Sequence, residues 1–248
     1  MKTLLALFLT LSTIVSQAQP TADLVRARHS DIRVQPVGHG SLILEWNSEV
    51  IYVDPYGADK YTGQKDPTII LITDIHGDHL NIETLEAINS KNAKFIVPQA
   101  VKDKLPESFQ KNLFTLANGE ARKVNDISIS AIPMYNLPEM EDSRHPKGRG
   151  NGYIIDLGDK KVYISGDTED IAEMRALEGI DVAFVCMNLP YTMNINQAAS
   201  AVLDFKPKII YPFHYRGQGG LADTEQFKKI VNEGDSAIDV RLRDWYSQ

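Results

Sequence analysis

The fold of this chain is predicted from one stretch, Thr68-Ile69-Ile70-Leu71-Ile72-Thr73-Asp74-Ile75-His76-Gly77-Asp78-His79-Leu80. Its first five residues are an apolar run that predicts a buried strand. A helix is predicted to follow, with Asn81 as its N-cap. Two aspartates and two histidines therefore lie on a turn at the carboxyl end of a strand, where open α/β folds place ligands. Asp and His together are typical of a transition-metal site. A solvated polar turn is the alternative.

Apolar patterns elsewhere in the chain predict the elements around this turn. Strands are predicted at residues 32–35, 41–46, 50–53, 68–72, 94–97, 113–116, 120–124, 127–132, 152–157, 161–165, 181–185, 208–211 and 238–240. Helices are predicted at 81–88, 170–177, 194–205 and 224–232, with weak helical character over 101–109. Each half of the chain is thus a run of β followed by αβ units. This order predicts an α/β (α+β) fold, a four-layer αββα sandwich of two mixed β-sheets with helices on the outer faces.

Three later stretches carry side chains of the same kinds. They are His145-Pro146-Lys147-Gly148, Ser165-Gly166-Asp167-Thr168 and Tyr211-Pro212-Phe213-His214-Tyr215. Together with the first turn they resemble the metallo-β-lactamase superfamily, whose His-x-His-x-Asp-His signature becomes Asp-x-His-x-Asp-His here. The resemblance spans residues 32–239. The segments at 38–41, 145–148 and 166–169 resemble most closely the ascorbate-6-phosphate lactonase-like branch. The resemblance implies a metal-dependent hydrolase rather than a true β-lactamase.

The resemblance also implies two metal centres. The first would use Asp74, His76 and His145, the second Asp78, His79 and His214, with Asp167 as the bridge between them. A metal-bound hydroxide held between two divalent ions would attack an ester, lactone or phosphodiester substrate. Asp78 would also be catalytic, as a proton acceptor for the departing group. Zinc is the expected metal and manganese or iron the alternatives, because Asp74 makes the donor set harder.

Each assigned ligand also has a structural explanation. His145 fits a solvated loop histidine, His214 a core histidine bonded to a backbone carbonyl, and Asp167 a helix cap. Asp74 departs from the family signature, which leaves open a weak or empty first centre. It also leaves open the alternative function of a catalytically inactive metal-binding or sensing module of the same fold.

Further side chains beside the motifs are predicted to contact substrate or to support the ligands. They are His39, Asp54, Tyr135, Asn136, Lys147, Asn188 and Tyr191. Asp54 is expected either to hydrogen-bond a ligand histidine or to cap a turn. Lys147 is expected either to hold an anionic group of the substrate or to be a solvated surface lysine. For His39, a purely structural role is the alternative.

The N-terminus has the pattern of an export signal. Lys2 precedes the apolar run from Leu4 to Val15, and Ser16-Gln17-Ala18 has the small-x-small pattern of a cleavage site. We expect residues 1–18 to be a cleaved signal peptide, 19–30 a linker and 31–248 a single hydrolase domain in the periplasm or secreted. A retained anchor is the alternative, but the apolar run is short for a bilayer span.

Charge and cysteine usage limit the partners further. The formal net charge of −7 argues against non-specific binding of nucleic acid. The expected partner is a small-molecule substrate, with no stable membrane anchor, and the sequence leaves the oligomeric state open. The single cysteine, Cys186, rules out an intramolecular disulfide and is predicted to be a small core residue.

Overall fold

The computed structural model describes residues 20–246, which form two seven-stranded β-sheets. The first sheet contains β1 (Asp23–Val25), β2 (Ile32–Gly38), β3 (Ser41–Trp46), β4 (Glu49–Val53), β5 (Ile69–Leu71), β6 (Lys94–Val97) and β7 (Leu113–Thr115). Its spatial order follows the sequence from β1 to β7. Strands β1 to β4 pair antiparallel, and β4 to β7 pair parallel.

The second sheet repeats this plan. It contains β8 (Ala121–Val124), β9 (Ile127–Met134), β10 (Gly150–Leu157), β11 (Lys160–Ile164), β12 (Val182–Cys186), β13 (Ile209–Phe213) and β16 (Asp239–Val240). Its order is β16-β13-β12-β11-β10-β9-β8. Strands β8 to β11 are antiparallel, and β11, β12, β13 and β16 run parallel. A two-stranded hairpin, β14 (Arg216–Gly217) and β15 (Gly220–Leu221), stands apart. The chain passes from the first sheet to the second through residues 116–120.

Helices cover the outer faces of both sheets. They are α1 (Ile82–Ala87), α2 (Gln99–Lys102), α3 (Ala172–Arg175), α4 (Ile195–Phe205) and α5 (Thr224–Gly234). Leu85 of α1 and Val101 of α2 share a buried cluster with Phe95 on the first sheet. Val202 of α4 and Val231 of α5 belong to the cluster that holds the second sheet. Asn194 begins α4 with a capping box, which satisfies backbone N–H groups at the helix start.

Alternating side chains on the strands fill the space between the sheets. In β3, Leu42 and Leu44 belong to the large cluster shared with the second sheet, whereas Ile43 belongs to the cluster beneath α1 and α2. Every residue of the central parallel strand β12 is buried, as expected for a strand covered on both faces. The predicted four-layer sandwich is confirmed, and Cys186 is a buried free thiol as predicted.

Some predicted boundaries differ from the structure. The segment predicted as a linker, residues 19–30, contains the edge strand β1, which pairs with β2. The weak helix predicted over 101–109 is instead α2 and a 3-10 turn at Glu107–Asn112, because Pro106 precludes a continuous helix. The predicted signal peptide and cleavage point lie outside the described residues. Between residues 20 and 246, no helix is long and apolar enough to cross a membrane.

Candidate metal centre

The candidate ligands converge at the carboxyl ends of the parallel strands. Asp54 directly follows β4, the Asp74–His79 turn follows β5, Asp167 comes after β11 and His214 directly follows β13. His145 enters from the long loop between β9 and β10. Parallel strands end at one edge of a sheet, so side chains from separate stretches meet there. The two sheets supply ligands to one site.

The most buried cluster consists of His79, Asp167 and His214, each at most 3% exposed. Nε2 of His79 lies 3.3 Å from Asp167 Oδ2, and Nε2 of His214 lies 3.2 Å from Asp167 Oδ1. The two imidazole Nε2 atoms are 3.4 Å apart. Three side chains whose donor atoms face one another at these distances form a site for one cation. Gly40 lies against it, and a Cβ there would be 3.1 Å from the His214 ring.

Asp78 lies at the edge of this cluster. Its Oδ2 is 3.4 Å from His214 Nε2, 3.8 Å from His79 Nε2 and 3.2 Å from His39 Nε2. The other ring nitrogen of His39 lies 2.8 Å from the Tyr246 hydroxyl oxygen. Asp78 can therefore join the cluster as a fourth donor, while His39 connects it to the C-terminal segment.

A second cluster consists of Asp74, His76 and His145. Asp74 Oδ2 lies 2.7 Å from His76 Nδ1 and 4.0 Å from His145 Nε2. His145 Nε2 is also 3.3 Å from Asp167 Oδ2, so Asp167 adjoins both clusters. This is the arrangement expected of a bridging carboxylate. Arg149, a residue absent from the sequence prediction, pairs with both oxygens of Asp74.

Buried hydrogen bonds orient the ligand histidines. Nδ1 of His79 lies 2.8 Å from Asp54 Oδ2, which also accepts a hydrogen bond from the Thr73 hydroxyl at 2.6 Å. Asp54 Oδ1 accepts from the Thr73 backbone N–H. Asn136 Oδ1 accepts from the His145 backbone N–H and lies 3.2 Å from its Nδ1. In both histidines, Nε2 is thus directed into the site, as in metal sites with outer hydrogen-bonding partners.

The three candidate ligand aspartates, Asp74, Asp78 and Asp167, are held as carboxylates. Burial would raise the pKa of Asp167, but the adjacent His214 and His79 hold it well below its usual range. Burial likewise opposes ionisation of Asp78, yet hydrogen bonds to His214 and His39 keep its pKa well below normal. For Asp74, burial is outweighed by His76, His79 and Arg149, which lower the pKa to about 2. Ionised carboxylates are the form that binds cations.

Unpartnered polar atoms show that the residues fit metal ions. Within residues 20–246, six buried polar side-chain atoms make no hydrogen bond of suitable geometry, and four of them belong to this site. They are His76 Nδ1, His145 Nε2, Asp167 Oδ1 and His214 Nδ1. Buried polar groups without partners are costly and are usually satisfied in native proteins. The first three lie within the clusters described above, so cations there would satisfy them.

The backbone at three site residues has an unusual conformation. His39, Asp54 and His214 have φ values of 54°, 44° and 47°, in the left-handed region that few non-glycine residues adopt. Residues in this region are most often found where the surrounding structure requires a particular side-chain direction. Each of the three directly follows a strand, β2, β4 or β13, and each directs its side chain to the site.

The other predicted residues divide into supporting and peripheral ones. Asn136 supports His145, as described. Tyr135 donates its hydroxyl hydrogen to Glu173, and Asn188 bonds the Thr192 hydroxyl. Lys147 lies 3.1 Å from Glu173 and 3.4 Å from Glu139, so its ammonium is directed to these acids rather than to the ligands.

Tyr191 is the last of these predicted residues. It accepts a hydrogen bond at its hydroxyl from Gln218, and its backbone carbonyl accepts one from Asn136. Tyr191 thus helps to position Asn136, which in turn bonds His145. Within residues 20–246, the candidate ligand clusters contain none of Tyr135, Lys147, Asn188 and Tyr191.

The sequence prediction missed three residues at the site, which are Thr73, Arg149 and Tyr246. Thr73 directly precedes the motif, so its position beside a buried strand end was a usable signal. Arg149 is one of several basic residues in an irregular loop, and Tyr246 lies in a short C-terminal segment. Neither of these two has a local pattern that distinguishes it.

The chain is similar in sequence to known proteins. Residues 33–214 match a family model described as a β-lactamase superfamily domain. A UPF0173 metal-dependent hydrolase of Pyrococcus abyssi is 30% identical, with 86% of this chain and 96% of that protein covered. Its counterpart from Pyrococcus horikoshii is also 30% identical, over 86% of this chain and 96% of its own length.

The chain is also similar to solved structures. A crystal structure from Parabacteroides distasonis has a TM-score of 0.80 and 37% identity, with 90% of this chain and 98% of that chain covered. Igni18, a metallo hydrolase from Ignicoccus hospitalis, has a TM-score of 0.71 and 27% identity, over 85% of this chain and 94% of its own. Both similarities extend over nearly the whole of the compared chains.

Proposed function

The chain belongs to the β-lactamase superfamily and is a metal-dependent hydrolase, and from that premise we propose that it uses two divalent ions to hydrolyse a small ester, lactone or phosphodiester. The observation that carries the proposal is the pair of ligand clusters that share Asp167. Bound ions would supply a hydroxide nucleophile near neutral pH and polarise the oxygen of the attacked group. Zinc is the proposed metal, with manganese and iron as alternatives, because the donors are a mixture of imidazoles and carboxylates.

The residues of the chain would hold the ions, orient the ligand side chains and accept a proton. Asp54 and Asn136 fix the two histidines described above. Asp78 is the proposed proton acceptor for the departing group, because its Oδ2 lies at the edge of the ligand cluster. His39, 3.2 Å from that oxygen and about a quarter exposed, offers the proton a route towards solvent.

A cavity beside Asp78 suggests the kind of substrate. Its volume is about 290 Å³, near the lower end of the range for small-molecule sites. It is lined by His39, Tyr56, Lys60, Asp78, Arg216, Trp245 and Tyr246. Lysine and arginine on the wall favour a substrate with an anionic group. Lys60 and Arg216 are therefore proposed to bind the anionic group of the substrate in place of Lys147. The resemblance to the lactonase-like branch makes a phosphorylated lactone one candidate.

A substrate panel with and without chelator tests the proposal. The purified chain is assayed on bis(p-nitrophenyl) phosphate, carboxylic esters, and neutral and anionic lactones. We expect turnover on at least one class, loss of turnover with a chelator, and recovery when zinc, manganese or iron is restored. His214→Gln should lose turnover, whereas the surface variant Lys123→Gln should retain it. Chelator-independent turnover would contradict the proposal. No turnover on any substrate would favour the inactive metal-binding or sensing module.

We also propose that the protein is exported. The support is the sequence pattern of residues 1–18 alone. Expression of the full chain in a bacterial host, followed by fractionation and intact-mass measurement, tests it. A periplasmic or secreted product that begins near Gln19 is expected. A full-length product in the cytoplasmic fraction would contradict export without affecting the proposed reaction.

A further inference from the structure

Arg149 forms a two-point ion pair with Asp74, which belongs to the cluster of Asp74, His76 and His145. Its Nε donates to Asp74 Oδ1 at 3.0 Å, and its Nη2 donates to Oδ2 at 2.9 Å. The Asp74 side chain is fully buried, and that of Arg149 is 20% exposed. The pair is therefore largely removed from water, where a bidentate contact of this kind is strong.

The ion pair uses the same carboxylate oxygen that faces the other ligands. Asp74 Oδ2 is the atom 2.7 Å from His76 Nδ1 and 4.0 Å from His145 Nε2. A cation held by these three residues would have to share Oδ2 with the Arg149 guanidinium. Arginine remains charged at any working pH, so the shared oxygen would lie between two cations that repel each other. Arg149 also neutralises the negative charge that would attract the ion.

The environment of Asp78 and of the cluster of His79, Asp167 and His214 is different. Within residues 20–246, the ion-pair partners of the Asp78 and Asp167 carboxylates are histidines, whereas those of Asp74 include an arginine. Two carboxylates that form no bidentate pair with an arginine attract a divalent ion more strongly than one that does. The two centres therefore differ in charge as well as in donor atoms.

We propose that Arg149 makes the two metal centres unequal. The centre built on Asp78, His79, Asp167 and His214 fills first and holds its ion tightly. The centre built on Asp74, His76 and His145 binds its ion weakly and exchanges it. Arg149 acts through Asp74 and is a positioning residue. This inference rests on the proposed function only in treating the two clusters as metal centres.

Zinc titration of the metal-free full chain against a chromophoric chelator tests the inference. Elemental analysis at fixed free zinc gives the stoichiometry. The wild type should show two steps that differ by roughly 10–100-fold in affinity, the usual range for effects of groups around a metal site. Arg149→Gln should tighten the weak step at least about tenfold and leave the tight step within about twofold. Arg149→Lys, which keeps the charge, should remain weak.

Two controls assign the steps. His145→Gln should remove only the weak step, and the distant variant Arg122→Gln should behave as wild type. If Arg149→Gln does not fold, as judged by circular dichroism, the double variant Asp74→His/Arg149→Gln replaces it, and the same tightening is expected.

Two outcomes would overturn the inference. One is equal zinc affinity of the two centres in the wild-type protein. The other is an unchanged or weakened first centre in Arg149→Gln, which would show that the arginine only orients Asp74 as a ligand. Either outcome, combined with chelator-sensitive turnover, leaves the proposed hydrolase function intact. Absence of any zinc binding would contradict both.

Discussion

Asp54 orients the candidate ligand His79 without belonging to a ligand cluster. Both of its oxygens are used, one by the Thr73 backbone N–H and the other by the Thr73 hydroxyl and His79 Nδ1. The Thr73 backbone N–H and hydroxyl donate to Asp54. When His79 Nδ1 also donates to Asp54, its Nε2 is left to face the site. Burial raises the pKa of Asp54 even though His79 and Thr73 stabilise its charged form.

Replacement of Asp54 by Asn tests this role at the residue scale. An amide has only one oxygen, so its NH₂ group must face a donor of either Thr73 or His79. We expect zinc affinity of the centre containing His79 to fall roughly 10–100-fold. The exposed variant Asp126→Asn is the matched control and should bind zinc as the wild type does. Unchanged affinity in Asp54→Asn, measured by chelator competition, would reduce Asp54 to a turn cap.

At the scale of the elements, Asp23 attaches the edge strand β1 to the second sheet. Asp23 lies 2.5 Å from Arg243 Nη2 and 3.2 Å from Arg241 Nη1, and it accepts a hydrogen bond from the Tyr211 hydroxyl at 2.8 Å. These partners belong to β13 and the C-terminal segment, so Asp23 connects the first sheet to the second. Burial would raise the pKa of Asp23, but Tyr211, the Leu24 backbone N–H and the two arginines lower it overall.

Replacement of Asp23 by Asn should lower the free energy of unfolding by about 1–2 kcal/mol at pH 7. Because the folded-state pKa is below the unfolded value of 3.8, the stabilisation by Asp23 is present above that value. It is lost as pH falls through the folded-state pKa. Urea unfolding of both proteins from pH 7 to pH 3 should therefore show a shrinking difference. A difference that stays constant or grows towards pH 3 would contradict the assigned ion pairs.

The elements were predictable to the extent that their patterns are local. The strand before Asp74 and the helix after Asn81 follow from an apolar run and a cap, so the strand–turn–helix unit is predicted correctly. Strand β1 has only three residues and pairs at an edge, which leaves no periodicity to detect. The Asp74–Arg149 contact joins residues 75 positions apart, and no local pattern specifies such a pair.

At the scale of the whole molecule, the candidate centres join the two sheets. The first sheet supplies the ligands from Asp74 to His79, and the second supplies His145, Asp167 and His214. Any ion bound there therefore stabilises the packing of one half against the other. A ligand that binds only the folded state adds stability that grows with its free concentration.

Metal removal should consequently lower the melting temperature. At free zinc about 100-fold above the dissociation constant, one ion contributes about 2.7 kcal/mol, which corresponds to roughly 5–10 °C for a domain of this size. Differential scanning calorimetry with zinc and with excess chelator measures the shift. Chelator presaturated with zinc is the control and should leave the melting temperature unchanged. Equal melting temperatures with and without metal would argue against occupied centres that span the sheets.

The passage of the chain between its sheets at residues 116–120 has a consequence for fragment complementation. A break at the Asn118-Gly119 turn would give two pieces, each with its own sheet and neither with a complete ligand set. Co-expressed pieces that reassociate would regenerate the site, so zinc uptake would report their union. The same division makes the metal a reporter of how the two halves recognise each other during folding.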